Sequence, residues 1–349
     1  MDHTQNTNNN NNKTSEKSLE ALDESYQIFL IILYSFTACF AFISNLLTII
    51  VMWKGKRCTR DLRKFLINLS IADLLMAMFT IPFTYTYYMF GHWIFVPSMC
   101  SIVNFAQLTT ITVSIYTLVA IAIDRYMAIM HPLKKSKSWF KRHRTLIVIL
   151  IWLSGLLLGL LQFFASETKT FIHNQREYIS CDERWKPESM EGKLYTAFIF
   201  ATTFALPMLA LCIIYTAMGW KLFRYRGPEQ QQQNFVWTKI LIRKQHVLKM
   251  LIIIIMVFTV CWLPIQLFNI LIYFKTNFLH VDSEFKYYAF VGSYFFCHWI
   301  SMAHSFMNPI IYSFMSKNFR NKQNEINQST PAPASAKHGF IKYMQKGSY

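Results

Sequence analysis

The chain has 349 residues, of which 53% are apolar and only 15% charged, whereas soluble domains average roughly 25% charged residues. Although its formal net charge is +17, its apolar residues form long runs, so the composition excludes an array of ordinary soluble domains and favours a membrane protein. With only ten glycines, the chain also does not fit a glycine-punctuated α/β or all-β fold.

The N-terminal residues 1–25 are polar and contain the run "QNTNNNNN", which predicts a disordered segment. No cleavable signal peptide is recognisable, so the first apolar run is expected to act as an uncleaved anchor. Asn12 begins an Asn-Lys-Thr sequon and is a candidate glycosylation site, although Asn is frequent enough here for a chance match.

Seven apolar runs follow, each long enough to cross a bilayer core as a helix of roughly 20 residues. We name them spans one to seven and place them near residues 26–53, 64–90, 98–130, 145–165, 194–220, 247–274 and 287–315. The predicted fold is therefore an all-α membrane protein, a seven-transmembrane helix bundle. Residues 324–349 are polar and are predicted to form a cytoplasmic tail.

Lys and Arg are concentrated in alternate connections between the spans and in the tail. The positive-inside rule then places the N-terminus outside and the C-terminus inside. Because these bases lie in short loops beside the spans, they indicate topology and contact with anionic membrane lipids, and no nucleic-acid partner is expected.

Two of the seven cysteines, Cys100 and Cys181, are predicted to lie on the outer side near span ends. The oxidising exterior favours a disulfide between them, with two free thiols as the alternative. The cysteines show no metal-binding spacing.

Each span also contains a short motif, and the ordered set resembles the rhodopsin-like (class A) G-protein-coupled receptors. The motifs are "SNLL" with Asn45, "LSIAD" ending at Asp73, Cys100 followed by "DRY" at 124–126, Trp152, Pro207 with Tyr215, "CWLP" at 261–264 and "NPIIY" at 308–312. The resemblance covers about residues 26–323, which are predicted to form one receptor domain. It implies a short amphipathic eighth helix that begins near Phe319 and Arg320. Prolines within the spans (Pro82, Pro207, Pro264 and Pro309) are predicted to bend their helices, or else to serve packing alone.

Asp73 is an acid in the middle of an apolar span, and such residues usually have a functional partner. The resemblance implies a polar core that joins Asp73 to Asn45, Ser114, Ser305 and Asn308. It also implies an allosteric sodium ion at Asp73, the one bound ion expected, and no organic cofactor. A hydrogen-bonded network without sodium is the alternative, and His304, where the family often has Asn, weakens the expectation.

The outer ligand pocket is also inferred from the resemblance. Gln107 replaces the Asp of amine receptors, and Met302 replaces the retinal-linking Lys of opsins, so neither ligand class is expected. The residues expected to line the pocket are Gln107, Ile111, Trp262, Gln266, Asn269, Tyr273, His298, Asp182 and Glu183.

The sequences around "DRY" and "NPIIY" look similar to neuropeptide Y-, RFamide- and tachykinin-type receptors together. Asp182 and Glu183 directly follow Cys181, and such acids would attract a basic, amidated peptide and pair with its Arg. The alternatives are a solvated acidic surface and, for Gln107, Asn269 and His298, ordinary core hydrogen bonding.

At the inner end, the resemblance implies that Asp124 holds Arg125 at rest and releases it on activation. A snorkelling charge pair is the alternative. The other implied switch and G-protein-coupling residues are Tyr126, Pro132, Leu133, Tyr215 and Tyr312. Span six is predicted to continue inward through 237–250 as an amphipathic helix.

The expected function is that of a plasma-membrane receptor for an extracellular neuropeptide, with a heterotrimeric G protein and arrestin as intracellular partners. A class A receptor for a lipid or other non-peptide ligand is the first alternative. A secondary transporter would show inverted repeats, and none is evident. An enzyme is not expected, since the sequence has no HExxH, GxSxG or paired mid-span acids.

Overall fold

The computed structural model describes residues 24–54, 60–130, 139–186, 189–224, 235–275 and 283–315. Their helices are α1 (Glu24–Lys54), α2 (Arg60–Phe79), α3 (Ile81–Phe90), α4 (Pro97–Met130), α5 (Trp139–Arg142), α6 (Arg144–Ala165), α7 (Met190–Phe200), α8 (Leu206–Arg224), α9 (Phe235–Phe274) and α10 (Glu284–Met315). Spans one to seven are α1, α2 with α3, α4, α6, α7 with α8, α9 and α10. The seven predicted helical spans are therefore confirmed.

Within the described residues, six of the seven spans are long and apolar enough to cross a membrane, and span seven, described over Glu284–Met315, is not among them. Span seven contains polar residues that a hydropathy average penalises. Three of them, His298, His304 and Asn308, are buried inside the bundle, where polar residues of a membrane helix are expected.

Span three is the most buried of those six spans and packs against spans two, four and five. Its close contact with span four depends on two small residues. A side chain at Gly155 or Gly159 would meet Thr109, which lies on the facing surface of span three. The other side of span four exposes leucines such as Leu153 and Leu157, as expected of a surface that faces lipid.

Two of the span prolines lie next to an interruption of the α-helix. Pro82 lies in the first turn of α3, just after the break at Thr80, and Pro207 follows a π-helical turn at Ala201–Ala205. Proline lacks the N–H that continues an α-helix, which accounts for both positions. Pro264 and Pro309 lie inside continuous helices, so the bends predicted there stay predictions.

The connection between spans four and five contains a β-hairpin that the sequence analysis did not predict. Strands β1 (Ser166–His173) and β2 (Arg176–Glu183) pair antiparallel from Ser166↔Glu183 to His173↔Arg176. The two turn residues, Asn174 and Gln175, have positive φ values of 47° and 61°, which is typical of a tight two-residue hairpin turn.

Several predictions lie outside the described residues: residues 1–23 of the N-terminal segment with Asn12, the coupling residues Pro132 and Leu133, the eighth helix and the tail. The predicted inward extension of span six is confirmed as helix, because α9 begins at Phe235. The side chains of 235–247 are outside the description, so the amphipathic face of that extension stays a prediction.

Candidate ligand pocket and inner switch

The hairpin is fixed over the outer end of the bundle by the predicted disulfide. Cys100, at the start of span three, is bonded to Cys181 in β2. Trp93 packs against this pair, and its backbone N–H donates to the carbonyl of Ile179 at 2.6 Å. The side-chain amide of Asn104 donates to Ser166 at 3.0 Å, so both strands are attached to span three.

The acids that follow Cys181 are held by tyrosines from two different spans. The Tyr87 hydroxyl of span two donates to Asp182 Oδ1 at 2.9 Å. The Tyr273 hydroxyl of span six donates to Glu183 Oε2, and Trp185 Nε1 donates to the same oxygen at 3.1 Å. Tyr273 and both acids, three of the predicted pocket residues, therefore meet at the outer ends of the helices.

His298, another predicted pocket residue, lies in an aromatic cluster between spans one, two and seven. Its Nδ1 shares a hydrogen bond of 2.9 Å with the Tyr34 hydroxyl. The Tyr88 and Tyr294 rings lie 5.3 and 6.1 Å from the imidazole, measured between centroids. Its Nε2 is buried and has no hydrogen-bond partner within the described part of the chain. Among the described residues, therefore, only the Nδ1 atom of the ring is hydrogen-bonded.

The remaining pocket residues are spread along spans three and six. Gln107 and Gln266 are half-buried, and Asn269 is exposed.

The other two, Ile111 and Trp262, belong to the main hydrophobic core, where the Trp262 ring packs against Phe258 and His304. No hydrogen bond between described residues joins these side chains to the acid pair, so their grouping into one pocket stays a prediction.

The structure links the predicted polar core through Asp73, which is fully buried. Asn308 Nδ2 donates to Asp73 Oδ2 at 2.9 Å, and Ser114 Oγ makes a weaker contact of 3.5 Å with Oδ1. Asn45 Nδ2 donates to the Ser305 carbonyl at 2.7 Å and so joins spans one and seven.

Two side-chain oxygen atoms of this core accept no hydrogen bond within the described part of the chain. The Oδ1 atoms of Asn45 and Asn308 are both buried and have no hydrogen-bond partner among the described residues. The Asp73 carboxylate and the Ser114 hydroxyl belong to the same core, and hard cations such as sodium prefer oxygen ligands of these kinds. The residues present therefore fit the sodium ion that the family resemblance implies.

At the inner end, Asp124 and Arg125 are paired, as expected. Arg125 Nε donates to Asp124 Oδ2 at 3.1 Å, and Nη2 donates to the same oxygen. Tyr126 and Tyr215 pack around Met218 and Leu248, which joins spans three, five and six. Tyr312 lies on the described helix, but its side chain is outside the description.

Four partners of predicted residues were missed by the sequence analysis. Arg144 Nη2 donates to Asp124 Oδ1 at 3.0 Å, and Tyr34, Tyr87 and Trp185 bind His298, Asp182 and Glu183. The only available signal was a cation or a polar aromatic residue near a span end, which many side chains satisfy equally well.

Comparison with known proteins gives one matching family model, "7 transmembrane receptor (rhodopsin family)", over residues 44–312. The RYamide receptor of Tribolium castaneum is 33% identical over 278 residues, which are 76% of this chain and 71% of that protein. The tachykinin-like peptides receptor 86C of Drosophila melanogaster is 34% identical over 78% of this chain and 53% of its own length. Neuropeptide Y receptor type 2 of Homo sapiens is 32% identical over 84% of this chain and 74% of its own length.

The family match extends over most of the chain and includes the motifs of all seven spans, although the first half of span one lies outside it. The helix order, the outer disulfide and the buried polar core agree with it. The match is to a family of signalling receptors and not to one of transporters or enzymes. The chain belongs to the rhodopsin family of seven-transmembrane receptors, the class A G-protein-coupled receptors.

Proposed function

We propose that this chain is a plasma-membrane receptor that binds an extracellular neuropeptide and activates a heterotrimeric G protein. The relatives described above are named as receptors for RYamide, tachykinin-like peptides and neuropeptide Y, which supports a peptide ligand. The observation that supports it most directly in this chain is the acid pair, Asp182 and Glu183, fixed over the helix ends by Tyr87 and Tyr273.

The acid pair favours a basic ligand. Each tyrosine binds one oxygen of its carboxylate, and a guanidinium can bind a carboxylate through its other oxygen. A free C-terminal carboxylate on the ligand would be repelled by these two acids, whereas an amidated C-terminus has no such charge. A lipid ligand would gain little from two fixed carboxylates, and it remains the alternative to a peptide.

Signalling in this proposal is a shift of population between two states. Peptide binding favours a state in which the inner half of span six moves outward and Arg125 leaves Asp124. Tyr126, Tyr215 and Tyr312 rearrange with the helices, and Pro132 and Leu133 contact the G protein. Arrestin would bind the same inner opening.

We further propose that the polar core around Asp73 holds a sodium ion, with Asp73, Ser114, Asn45 and Asn308 as candidate ligands. Two buried amide oxygens that accept no hydrogen bond from any described residue support this assignment. A cation there would offset the charge of Asp73, which costs free energy when it is unpaired in a membrane span.

The proposed orientation has the N-terminus outside the cell, with Asn12 accessible to glycosylation. The charge distribution supports it, because the basic connections then face the cytoplasm and its anionic lipids. The acid pair and the disulfide would lie on the outer, oxidising side.

The test is a screen of amidated neuropeptides on cells that express the chain, with calcium and cAMP both recorded. Each Arg of the active peptide is then replaced by citrulline, which has the same shape but no charge. We expect one replacement to lower potency on the wild-type receptor by about tenfold or more, and to have little effect on a Glu183→Gln receptor.

Glu167→Gln is the matched control, because Glu167 lies on the same hairpin and its half-exposed side chain is 3.9 Å from Lys169. It should leave the effect of citrulline unchanged. Response to lipids or amines but to no peptide would overturn the ligand class. If citrulline lowers potency as much on the Glu183→Gln receptor as on the wild type, or if the Glu167→Gln receptor also becomes insensitive to citrulline, the role of the acid pair is overturned.

A further inference from the structure

Asp124 is shared by two arginines from different spans. Its Oδ2 accepts from Arg125, the next residue of span three, and its Oδ1 accepts from Arg144, the first residue of span four, at 3.0 Å. The exposed fractions of the three side chains are 3% for Asp124, 15% for Arg125 and 9% for Arg144, so the cluster is largely shielded from solvent.

The two guanidinium groups do not compete for one oxygen. Since each uses its own side of the carboxylate, Arg125 can leave without disturbing the bond between Asp124 and Arg144. The two like charges also repel each other, so the presence of Arg144 weakens the hold of Asp124 on Arg125.

The free energy needed to release Arg125 from Asp124 depends on whether Arg144 is present. A buried carboxylate that loses one of two charged partners remains paired. A buried carboxylate that loses its only charged partner is left as an uncompensated charge, which is strongly unfavourable. Both this effect and the repulsion between the arginines therefore act in the same direction.

We propose that Arg144 is a positioning residue that keeps Asp124 paired after Arg125 has been released, and thereby sets how readily the receptor binds its G protein. The inference depends on the proposed switch role of Arg125. It adds a residue outside the "DRY" motif, contributed by span four.

The experiment uses the full chain, purified without ligand, and titrates it with nucleotide-free heterotrimeric G proteins of each α-subunit class. For the G protein that binds the wild type, Arg144→Gln should raise the half-saturating concentration by about tenfold or more. Arg142→Gln is the matched control. Arg142 is an exposed arginine two residues earlier, and its replacement should leave the titration unchanged.

The decisive comparison repeats the titration in an Asp124→Asn background, which contains no buried carboxylate to keep paired. There, Arg144→Gln should have little effect. A packing role for Arg144 predicts the same loss in both backgrounds, and that result would overturn the inference. An unchanged titration for Arg144→Gln in the otherwise wild-type chain would also overturn it.

Should Arg144→Gln fail to accumulate, Arg144→Lys provides the same comparison. A lysine keeps the charge but cannot reproduce the geometry of the guanidinium, so a smaller shift in the same direction is expected, again only when Asp124 is present. Because the titration uses no ligand, an error in the proposed ligand class leaves it valid. If no G protein binds the wild type, the proposed function itself fails.

Discussion

Two acids of this receptor, Asp73 and Asp124, are almost fully buried, and each is paired with side chains from other spans. Asp73 is bound by the neutral donors Asn308 and Ser114. Asp124 instead binds two guanidinium groups, so its charge is compensated within the protein. Removing the negative charge at Asp124 therefore removes the carboxylate that both arginines share.

Replacing Asp124 by Asn should raise ligand-independent signalling. Asn has nearly the same shape but no charge, so Arg125 is held less firmly in the resting state. Loss of the pair should shift the equilibrium between resting and active states by about 1.4 kcal/mol or more, a tenfold change in their ratio. The measurement is basal second-messenger production in cells at matched surface expression.

Glu167→Gln serves as the control for this change, because it also neutralises an acid but lies on the outer hairpin. It should leave basal signalling at the wild-type level. If Asp124→Asn also leaves it there, Asp124 does not restrain Arg125.

At the residue scale, the sequence predicted which side chains belong to the inner switch, but not every side chain that binds them. Asp124 and Arg125 are neighbours in the chain, so their pairing was readable from the "DRY" motif. Arg144 is 20 positions away from Asp124, and its direction depends on how span four is rotated against span three. That rotation is set by packing, for which a single helix sequence has no unique solution.

The β-hairpin between spans four and five is attached to the end of the bundle where the acid pair lies. Its attachment to span three depends on the bond between Cys100 and Cys181. Because the acid pair follows Cys181 directly, any loosening of β2 would displace both carboxylates.

Cys181→Ser should therefore abolish peptide binding or surface expression. Without the disulfide, β2 and the acid pair lose their covalent attachment to span three. Surface staining and peptide binding, measured on the same cells, would separate the two effects. Cys39→Ser, at an exposed free thiol in span one, should change neither quantity, and normal peptide potency in Cys181→Ser would contradict the role of the disulfide.

The contact between spans three and four is close enough to be tested at one glycine. A Cβ at Gly159 would lie 2.1 Å from Thr109 Oγ1 and 3.0 Å from the Phe105 carbonyl oxygen, and the carbonyl cannot move without shifting the helix. Gly159→Ala should therefore force the spans apart and destabilise the bundle by about 1–3 kcal/mol.

The measurement for this prediction is the thermal unfolding of purified receptor, which should occur several degrees lower than in the wild type. Gly219→Ala is the matched control, because nothing lies within 4 Å of a Cβ at Gly219, also inside a helix. It should leave the transition unchanged or raise it slightly, since alanine favours the helix. Equal transitions for the two variants would mean that spans three and four tolerate a wider separation.

On the scale of the whole molecule, the bundle is closed at its inner end by apolar packing. Leu248 of span six contacts a cluster that includes Met218 of span five and Tyr126 of span three. Outward movement of span six must break these contacts. The free energy for that step has to come from ligand or G protein, each of which shifts the population only by its preference for the open state.

Outward movement of span six can be measured with spin labels at Lys249→Cys and Arg142→Cys. Both positions are exposed at the inner end, Lys249 on span six and Arg142 on α5. Cys39, Cys58, Cys212 and the half-buried Cys297 are replaced by Ser to prevent labelling elsewhere. Peptide agonist together with G protein should populate a longer distance between the labels. Labels at Trp53→Cys and Arg142→Cys do not report on span six, so the distance between them should stay the same. If the distance between the labels at Lys249→Cys and Arg142→Cys also stays the same, the proposed opening is contradicted.

The sequence by itself determined the class of the molecule. Runs of about 20 apolar residues specify membrane helices because a bilayer leaves the backbone few alternatives. The ordered motifs, one for each span, then identified the family, and the position of Cys100 and Cys181 on one side predicted their bond.

Only the tertiary structure decided which side chains meet. The hairpin in the connection after span four, the tyrosines that hold Asp182 and Glu183, and the bond from Arg144 to Asp124 all join residues that are distant along the chain or on different elements. Hydrophobicity fixes that a helix crosses the membrane, but it leaves the helix free to rotate and slide. Close packing removes that freedom, as it does where Gly159 admits Thr109 between spans three and four.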